Sequence, residues 1–477
     1  MKNIFKKLLL SVFGLLLVQS CDHELDQLPN DSLLPSSYYT NASEFEFATR
    51  GIYSAFIGGS YYGGSLQSLP DIMSDNVILA QRGRRSNQSF HEWRHSPNLA
   101  WGMLYSPYVV TNRANLILNY IDNLDDGPEK DNFMGEAKAA RALALFDMVR
   151  VYSKIPTQSG SESSLGLPVI TGIDPNVREL RPPLTDSYQF VVTELEEAKA
   201  LINSDNGVGR LNKDAVSAIL SRAYLYMGEY QSAVNSADEV STPISSFADV
   251  GQVWKDASEA GVIFKIDQDR NLDGVSIGVE WSQSTANNEV IPEYVVSFEL
   301  NNLYQNTDAR RNAYIANLPD QDGFLYNAIF KMYGETGQQN GVIDPKVIRS
   351  AEVALNKAEA YFFLGQEGPA LTALDELRSN RYSDYTAGTE SGSDLLAAIQ
   401  LERRLELFAE GHRFFDLKRW NLGVSRSATD GEFIDGTGTP VPAAFLNLSA
   451  GSHLFEMPIP QSEINVFPEF QQNPGYN

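Results

Sequence analysis

The sequence predicts a mostly α-helical fold of paired helices carrying an irregular, loop-rich face, and three observations predict it. Apolar residues recur at helical spacing over long stretches of the 477-residue chain. Two distant segments, LSRAYLYMGEYQSAVNSADEV and LNKAEAYFFLGQEGPALTALDEL, carry an aromatic, a glycine and an alanine at the same intervals. Between about 241 and 344 the periodicity gives way to polar stretches rich in Asn, Gln, Ser, Gly and Tyr.

The helices follow in order. Gly135 to Tyr152 places Ala137, Ala140, Ala144, Met148 and Val151 on one face, small enough for close helix contact, and Pro156 stops the run. Ser187 to Ile202 begins at the capping triplet Thr185-Asp186-Ser187, with Glu194, Leu195, Ala198 and Leu201 at helical spacing. Tyr224, Gly228 and Ala233 recur as Tyr361, Gly365 and Ala370. An aromatic on the first helix, glycine at the turn and alanine where the second helix meets it is the grammar of a tetratricopeptide hairpin. The two units lie 137 positions apart, so they are not an uninterrupted array in sequence. Leu395 to Trp420 reads as one further helix, and Val262 to Ile266 as a short strand. Asp384–Asp394 and Asn421–Leu446 read as loops.

The ends and the charge speak to location. Lys2, Lys6 and Lys7 precede the apolar run Leu8 to Val18, which is too short to cross a bilayer and fits a signal peptide over 1–20. Cys21, the only cysteine, follows directly, where a lipobox would acylate it, and 21–36 reads as a lipidated tether. With that thiol acylated there is no disulfide framework, so stability must come from packing. Asp22-His23-Glu24-Leu25-Asp26 resembles the acidic tag that sends some lipoproteins to the outer face of the outer membrane, a bare solvated linker being the other reading. The net charge is −24, and the signal carries three lysines and no acid, so the mature chain is more acidic still. That balance argues against nucleic acid and against anionic lipid head groups as partners. Beyond the tether the chain divides into 37–240, with the first paired helices, and 241–477, loop-rich to 344, helical over 345–420 and terminal over 421–477.

Two motifs invite chemistry. His91-Glu92-Trp93-Arg94-His95 matches H-E-x-x-H, which binds zinc when both imidazoles share a helix face with Glu as base. The setting argues otherwise: Arg82-Gly83-Arg84-Arg85-Ser86-Asn87-Gln88-Ser89 has no apolar stripe, and Pro97 disfavours helix at Ser96. Asp269, Asn271, Asp273 and Glu280 fit calcium-loop spacing around Gly274, although a strand precedes them and an Asx-rich turn is the default reading. No nucleophile elbow or phosphate loop is present.

Near the C-terminus, Glu402-Arg403-Arg404-Leu405-Glu406-Leu407 leads into Glu410-Gly411-His412-Arg413-Phe414-Phe415-Asp416-Leu417-Lys418-Arg419-Trp420. This resembles the signature of the SusD/RagB family of nutrient-binding outer-membrane lipoproteins, and Met457-Pro458-Ile459-Pro460 and Gln472-Asn473-Pro474-Gly475-Tyr476 resemble its closing segment. The resemblance implies a SusD-like globule on tetratricopeptide-like hairpins. It further implies an outward-facing lipoprotein that binds a glycan, or in some members a peptide, and passes it to a SusC-type TonB-dependent transporter without cofactor or catalysis. Glu402, Arg403, Glu406, Glu410 and Arg413 stand three and four apart, so they can pair along one helix as scaffold. Aromatic faces stack on sugar rings while amides and carboxylates take hydroxyls. Trp93, Trp281 and Tyr326, in polar stretches, are therefore the expected ligand-stacking residues, with Asp71 and Asn76 as polar partners; Trp101, Trp254 and Trp420 read as structural. The rival readings are a zinc peptidase using His91, Glu92 and His95, and a structural lid that binds nothing.

Overall fold

Helices that pair through tight turns and stack side by side form the frame of the computed structural model, which describes residues 35–268, 277–284, 290–319, 323, 325–334, 341–428 and 438–476. In chain order the main ones are α1 (Ala42–Phe56), α2 (Ser65–Ile72), α3 (Tyr105–Tyr120), α4 (Pro128–Tyr152), α5 (Leu184–Leu201), α6 (Lys213–Met227), α7 (Tyr230–Asp238), α8 (Ser350–Phe363), α9 (Glu367–Ser379), α10 (Gly392–Glu406) and α11 (Arg413–Arg419). From α3 to α7 each helix packs on the next, α1 covers α3, and α7 meets α8, which also carries α9 and α10. The helices expected at 135–152 and 187–202 are α4 and α5.

The innermost helix is α4. Its expected face is buried, but so are Ala139, Leu143 and Phe146 on its other sides, as suits a helix enclosed all round. A Cβ on Gly135 would lie 2.7 Å from the backbone nitrogen of Ile202, so only glycine lets the end of α5 approach there.

The two look-alike hairpins are built alike. Gly228 (φ 77°) and Gly365 (φ 72°) take the left-handed conformation past the ends of α6 and α8. Glu229 N–H donates to Tyr224 O at 2.9 Å and Gln366 N–H to Tyr361 O at 2.9 Å, the same closing bond in each turn. Ala233 and Ala370 are fully buried. Separated in sequence, the hairpins are neighbours in space, sharing Leu225, Ala233, Val234 and Ala360 in one apolar cluster.

Six short strands matter for the site: β1 (Val77–Leu79), β2 (Val262–Lys265), β3 (Tyr294–Val296), β4 (Ile315–Pro319), β5 (Leu325–Ile329) and β6 (Lys346–Arg349). β2, the expected strand, pairs antiparallel with β6. A four-stranded antiparallel sheet of order β1-β3-β5-β4 draws three of its strands, β3, β4 and β5, from the region expected to be loop-rich. Strands of three to five residues leave too little alternation to detect.

The single helix expected over Leu395–Trp420 is two, α10 and α11. Between them Ala409 (φ 61°) and Gly411 (φ 78°) are left-handed, and a Cβ on Gly411 would come 2.2 Å from Leu66 O of α2. The break corrects the expected pairing along one helix, because the signature side chains reach other elements instead. Glu406 accepts from Arg349 at 2.9 Å and Arg381 at 2.8 Å, Glu410 from Arg349 at 2.5 Å, and Arg413 holds Asp75 at 2.8 Å. Burial pushes the Glu406 carboxyl up, yet Arg381, Arg349 and Arg310 together hold it well below the usual carboxylate range. This network fastens α10 to β6 and to the end of α9, and the scaffold role expected of the signature stands on these contacts.

Candidate ligand-binding face

The five expected ligand residues converge on one region and form its floor rather than its surface. Trp93 is 6% exposed, its Nε1 donates to Met73 O at 2.9 Å, and the Arg426 guanidinium lies 4.2 Å from its ring centre. Trp281 is 1% exposed and meets Tyr294 edge-on. Tyr326 is buried with Ile78, Ala80, Val295 and Val441 on the sheet. Asp71 and Asn76 are both buried, joined by Asn76 Nδ2 donating to Asp71 Oδ1 at 2.7 Å, while Asn76 Oδ1 accepts from Arg404 Nε at 2.9 Å. Burial pushes the Asp71 carboxyl up to about 6. The expectation that these side chains stand exposed on loops is thereby corrected: distant partners such as Arg426 and Arg404 cover them. Trp101 and Trp254 are buried as expected, and Trp420 is half-buried with its Nε1 donating to Glu359 at 2.7 Å.

Above this floor runs the segment 81–88, in which Gln81, Arg82, Arg84 and Arg85 are exposed. Six non-glycine residues have positive φ among the described residues, and three fall close together: Arg85 (59°), Asn87 (59°) and Trp93 (49°). Such conformations cost free energy and persist where surrounding contacts enforce them. Here Arg84 Nε pairs with the wholly buried Glu293 at 2.7 Å, and Ser86 N–H points to the same carboxylate at 3.4 Å. Asn87 Nδ2 donates to Glu280 at 2.9 Å, and Tyr294 OH donates to Ser86 O at 2.5 Å. Gly83 sits so close that a Cβ would lie 2.7 Å from Pro292 O. The result is a strained, exposed loop held on the sheet, with Val279, 40% exposed, beside it and its carbonyl accepting from Arg84 Nη2 at 3.4 Å. Among the described residues this face offers guanidiniums and amides and no exposed aromatic ring. Sequence reasoning used 82–89 only as a non-helical flank; three arginines in four positions of an acidic chain were the available signal.

The zinc arrangement does not form. The helical turn Gln88–His91 ends at the first histidine, and Trp93 at φ 49° turns the chain away, so His91 and His95 share no helix face. His91 Nδ1 lies 2.9 Å from Ile72 O, His95 stacks on Phe90, and Glu92 pairs with Arg94 at 2.6 Å. Burial pushes both imidazoles down, His95 to about 4. Of the calcium-spaced residues, Asp269, Asn271 and Asp273 lie outside the described residues, and Glu280 is engaged with Asn87 and Ser68. Cys21 also lies outside them.

Two open clefts exist elsewhere. One of about 930 Å³ is lined by Glu196, Lys199, Asp214 and Glu239, whose charges are already satisfied. Lys199 pairs with Glu196 and Glu239, and Asp214 accepts from Ser241 and Thr242. The other, about 690 Å³, contains Tyr53 and Arg210, both held by Glu136. Among the described residues, neither joins backbone strain to an exposed cation without a partner, as Arg85 does.

Residues 301–476 match the profile of the SusD family, and residues 51–225 match a SusD-like profile described as starch-binding associating with outer membrane. The chain belongs to the SusD/RagB family. SusD-like protein P38 of Formosa agariphila is 23% identical over 490 residues, covering 89% of this chain and 92% of that protein. A crystal structure of a SusD superfamily protein from Bacteroides thetaiotaomicron is 25% identical with a TM-score of 0.79, covering 91% of this chain and all of that one. Surface glycan-binding protein A from Bacteroides uniformis shares the fold at a TM-score of 0.71 and 17% identity, covering 91% of this chain and 99% of its own. The SusD-like globule expected from the C-terminal signature is therefore the fold, and the family supports a carbohydrate-binding role.

Proposed function

We propose that this SusD-like protein is an outward-facing lipoprotein, anchored through Cys21, that captures a glycan at the 81–88 face and passes it to a SusC-type TonB-dependent transporter. The observation that carries the reading is the pair of family matches, one in each half of the chain, on a fold that a surface glycan-binding protein shares. The lipobox-like N-terminus agrees with the outer-membrane association that the second profile describes. Capture and handover need no bond-making, and the reading assigns none.

The test is affinity electrophoresis of the chain starting at residue 22 through gels containing neutral and charged polysaccharides. Retardation by at least one is expected; retardation by none overturns glycan capture and favours a structural lid on the transporter. In cells, Cys21→Ala is expected to leave the membrane fraction when the transporter is absent. Retention there would refute the lipid anchor.

A further inference from the structure

Recognition at the 81–88 face has an unusual basis for a glycan. A neutral sugar is ordinarily gripped by an open aromatic ring plus hydrogen bonds. Among the described residues the rings of this face are turned inward, and the outward groups are arginines. The Arg85 side chain is exposed and has no hydrogen bond or ion pair among the described residues. Its backbone is nonetheless held at φ 59°, between Arg84, clamped on Glu293, and Asn87, clamped on Glu280. Arg84 spends its Nε on Glu293 and reaches Val279 O with Nη2 at 3.4 Å, yet its side chain stays 51% exposed, which leaves Nη1 as its uncommitted nitrogen among the described residues, beside Arg85. The contacts that fix this backbone run through Arg84, Ser86 and Asn87, and none of them uses the Arg85 side chain.

Building on the glycan-capture reading above, we infer that the ligand is an anionic glycan, whose sulfate or carboxylate groups are bound by Arg85 with the outer edge of Arg84. A guanidinium can donate two N–H bonds to two oxygens of either a planar carboxylate or a tetrahedral sulfate, by charge-assisted hydrogen bonds. A net charge of −24 disfavours a polyanion overall, so an exposed, unpaired arginine bears on where it docks.

The experiment compares matched polymers on the chain starting at residue 22, by affinity electrophoresis and isothermal titration. The pairs are a carrageenan and its desulfated form, and polygalacturonate and its methyl ester, with starch and xylan as neutral controls. The expected result is binding to at least one charged polymer, weakened about tenfold or more when its charge is removed. Arg85→Gln should lose a similar factor with its melting temperature unchanged, and the pair that responds names the group as sulfate or carboxylate. Equal binding of the charged and uncharged members, or an Arg85→Gln variant that binds like the parent, overturns the anionic ligand while leaving glycan capture intact. Absence of binding to all six polymers overturns both.

Discussion

Replacing Trp93 separates a structural ring from a ligand-stacking one. The ring is 6% exposed, its Nε1–H reaches Met73 O, and Arg426 lies over its face. Trp93→Ala removes a nearly buried aromatic, worth about 3–5 kcal/mol. It also strips a buried guanidinium of its cation–π partner, worth up to about 2 kcal/mol. Arg426 has no alternative carboxylate among the described residues; its guanidinium donates to the carbonyls of Ser74, His91 and Phe445 at 2.8 to 3.0 Å. Trp93→Phe keeps most of the packing and loses only the bond to Met73 O, about 1–2 kcal/mol. Thermal melts of parent, Phe and Ala variants should therefore fall in that order, the Ala variant by several degrees. Trp93→Phe should be retarded in a glycan gel like the parent. An Ala variant that melts with the parent yet loses glycan binding would refute the burial argument and return the ring to the ligand.

Two further predictions concern the signature network. Glu406→Gln leaves Arg349 and Arg381 without their shared carboxylate and should destabilise by about 3–5 kcal/mol, read as a lowered melting temperature. Acid should act through the same groups. Asp75, Glu352, Glu406 and Asp416 all have carboxyls held below their ordinary values of 3.8 and 4.5 by neighbouring guanidiniums that outweigh burial. Their stabilising contribution is complete above those ordinary values and is lost as the pH falls below them. Asp71, pushed up to about 6 by burial, works in the opposite sense, as do Glu136, Asp256 and Glu280, which burial also raises; their gain on acidification is complete once the pH reaches the ordinary carboxyl values. Melting temperature measured between pH 6 and pH 3 should therefore hold level or rise slightly to about pH 4.5 and then drop; a rise continuing below about pH 4 would contradict the network.

How far the sequence could be read depended on whether the signal was local. The hairpin turns were legible because glycine in a left-handed turn followed by a small residue is a short-range requirement, met at Gly228 and again at Gly365. The strand at 262–265 was legible from a run of β-branched and aromatic residues. The helix break at Ala409 and Gly411 was not, because it is imposed by Leu66, some 340 positions away in sequence. The same holds for the site. Trp93, Trp281 and Tyr326 lie in polar stretches, and polarity of neighbours was read as exposure. Their burial comes from Arg426, Tyr294 and Ile78, partners that sequence distance hides. The arginines of 82–85 were visible as residues, but the strain that singles out Arg85 exists only in three dimensions.

The claim that the 81–88 face receives the ligand is tested most directly by amide hydrogen exchange, with and without the polysaccharide that retards the protein most in the gel. Protection should appear at 81–88 and in the segments beneath it, 279–284 and 290–296, with 196–214 around the larger cleft unchanged. Protection confined to 196–214, with 81–88 exchanging as in the unliganded protein, would contradict the account.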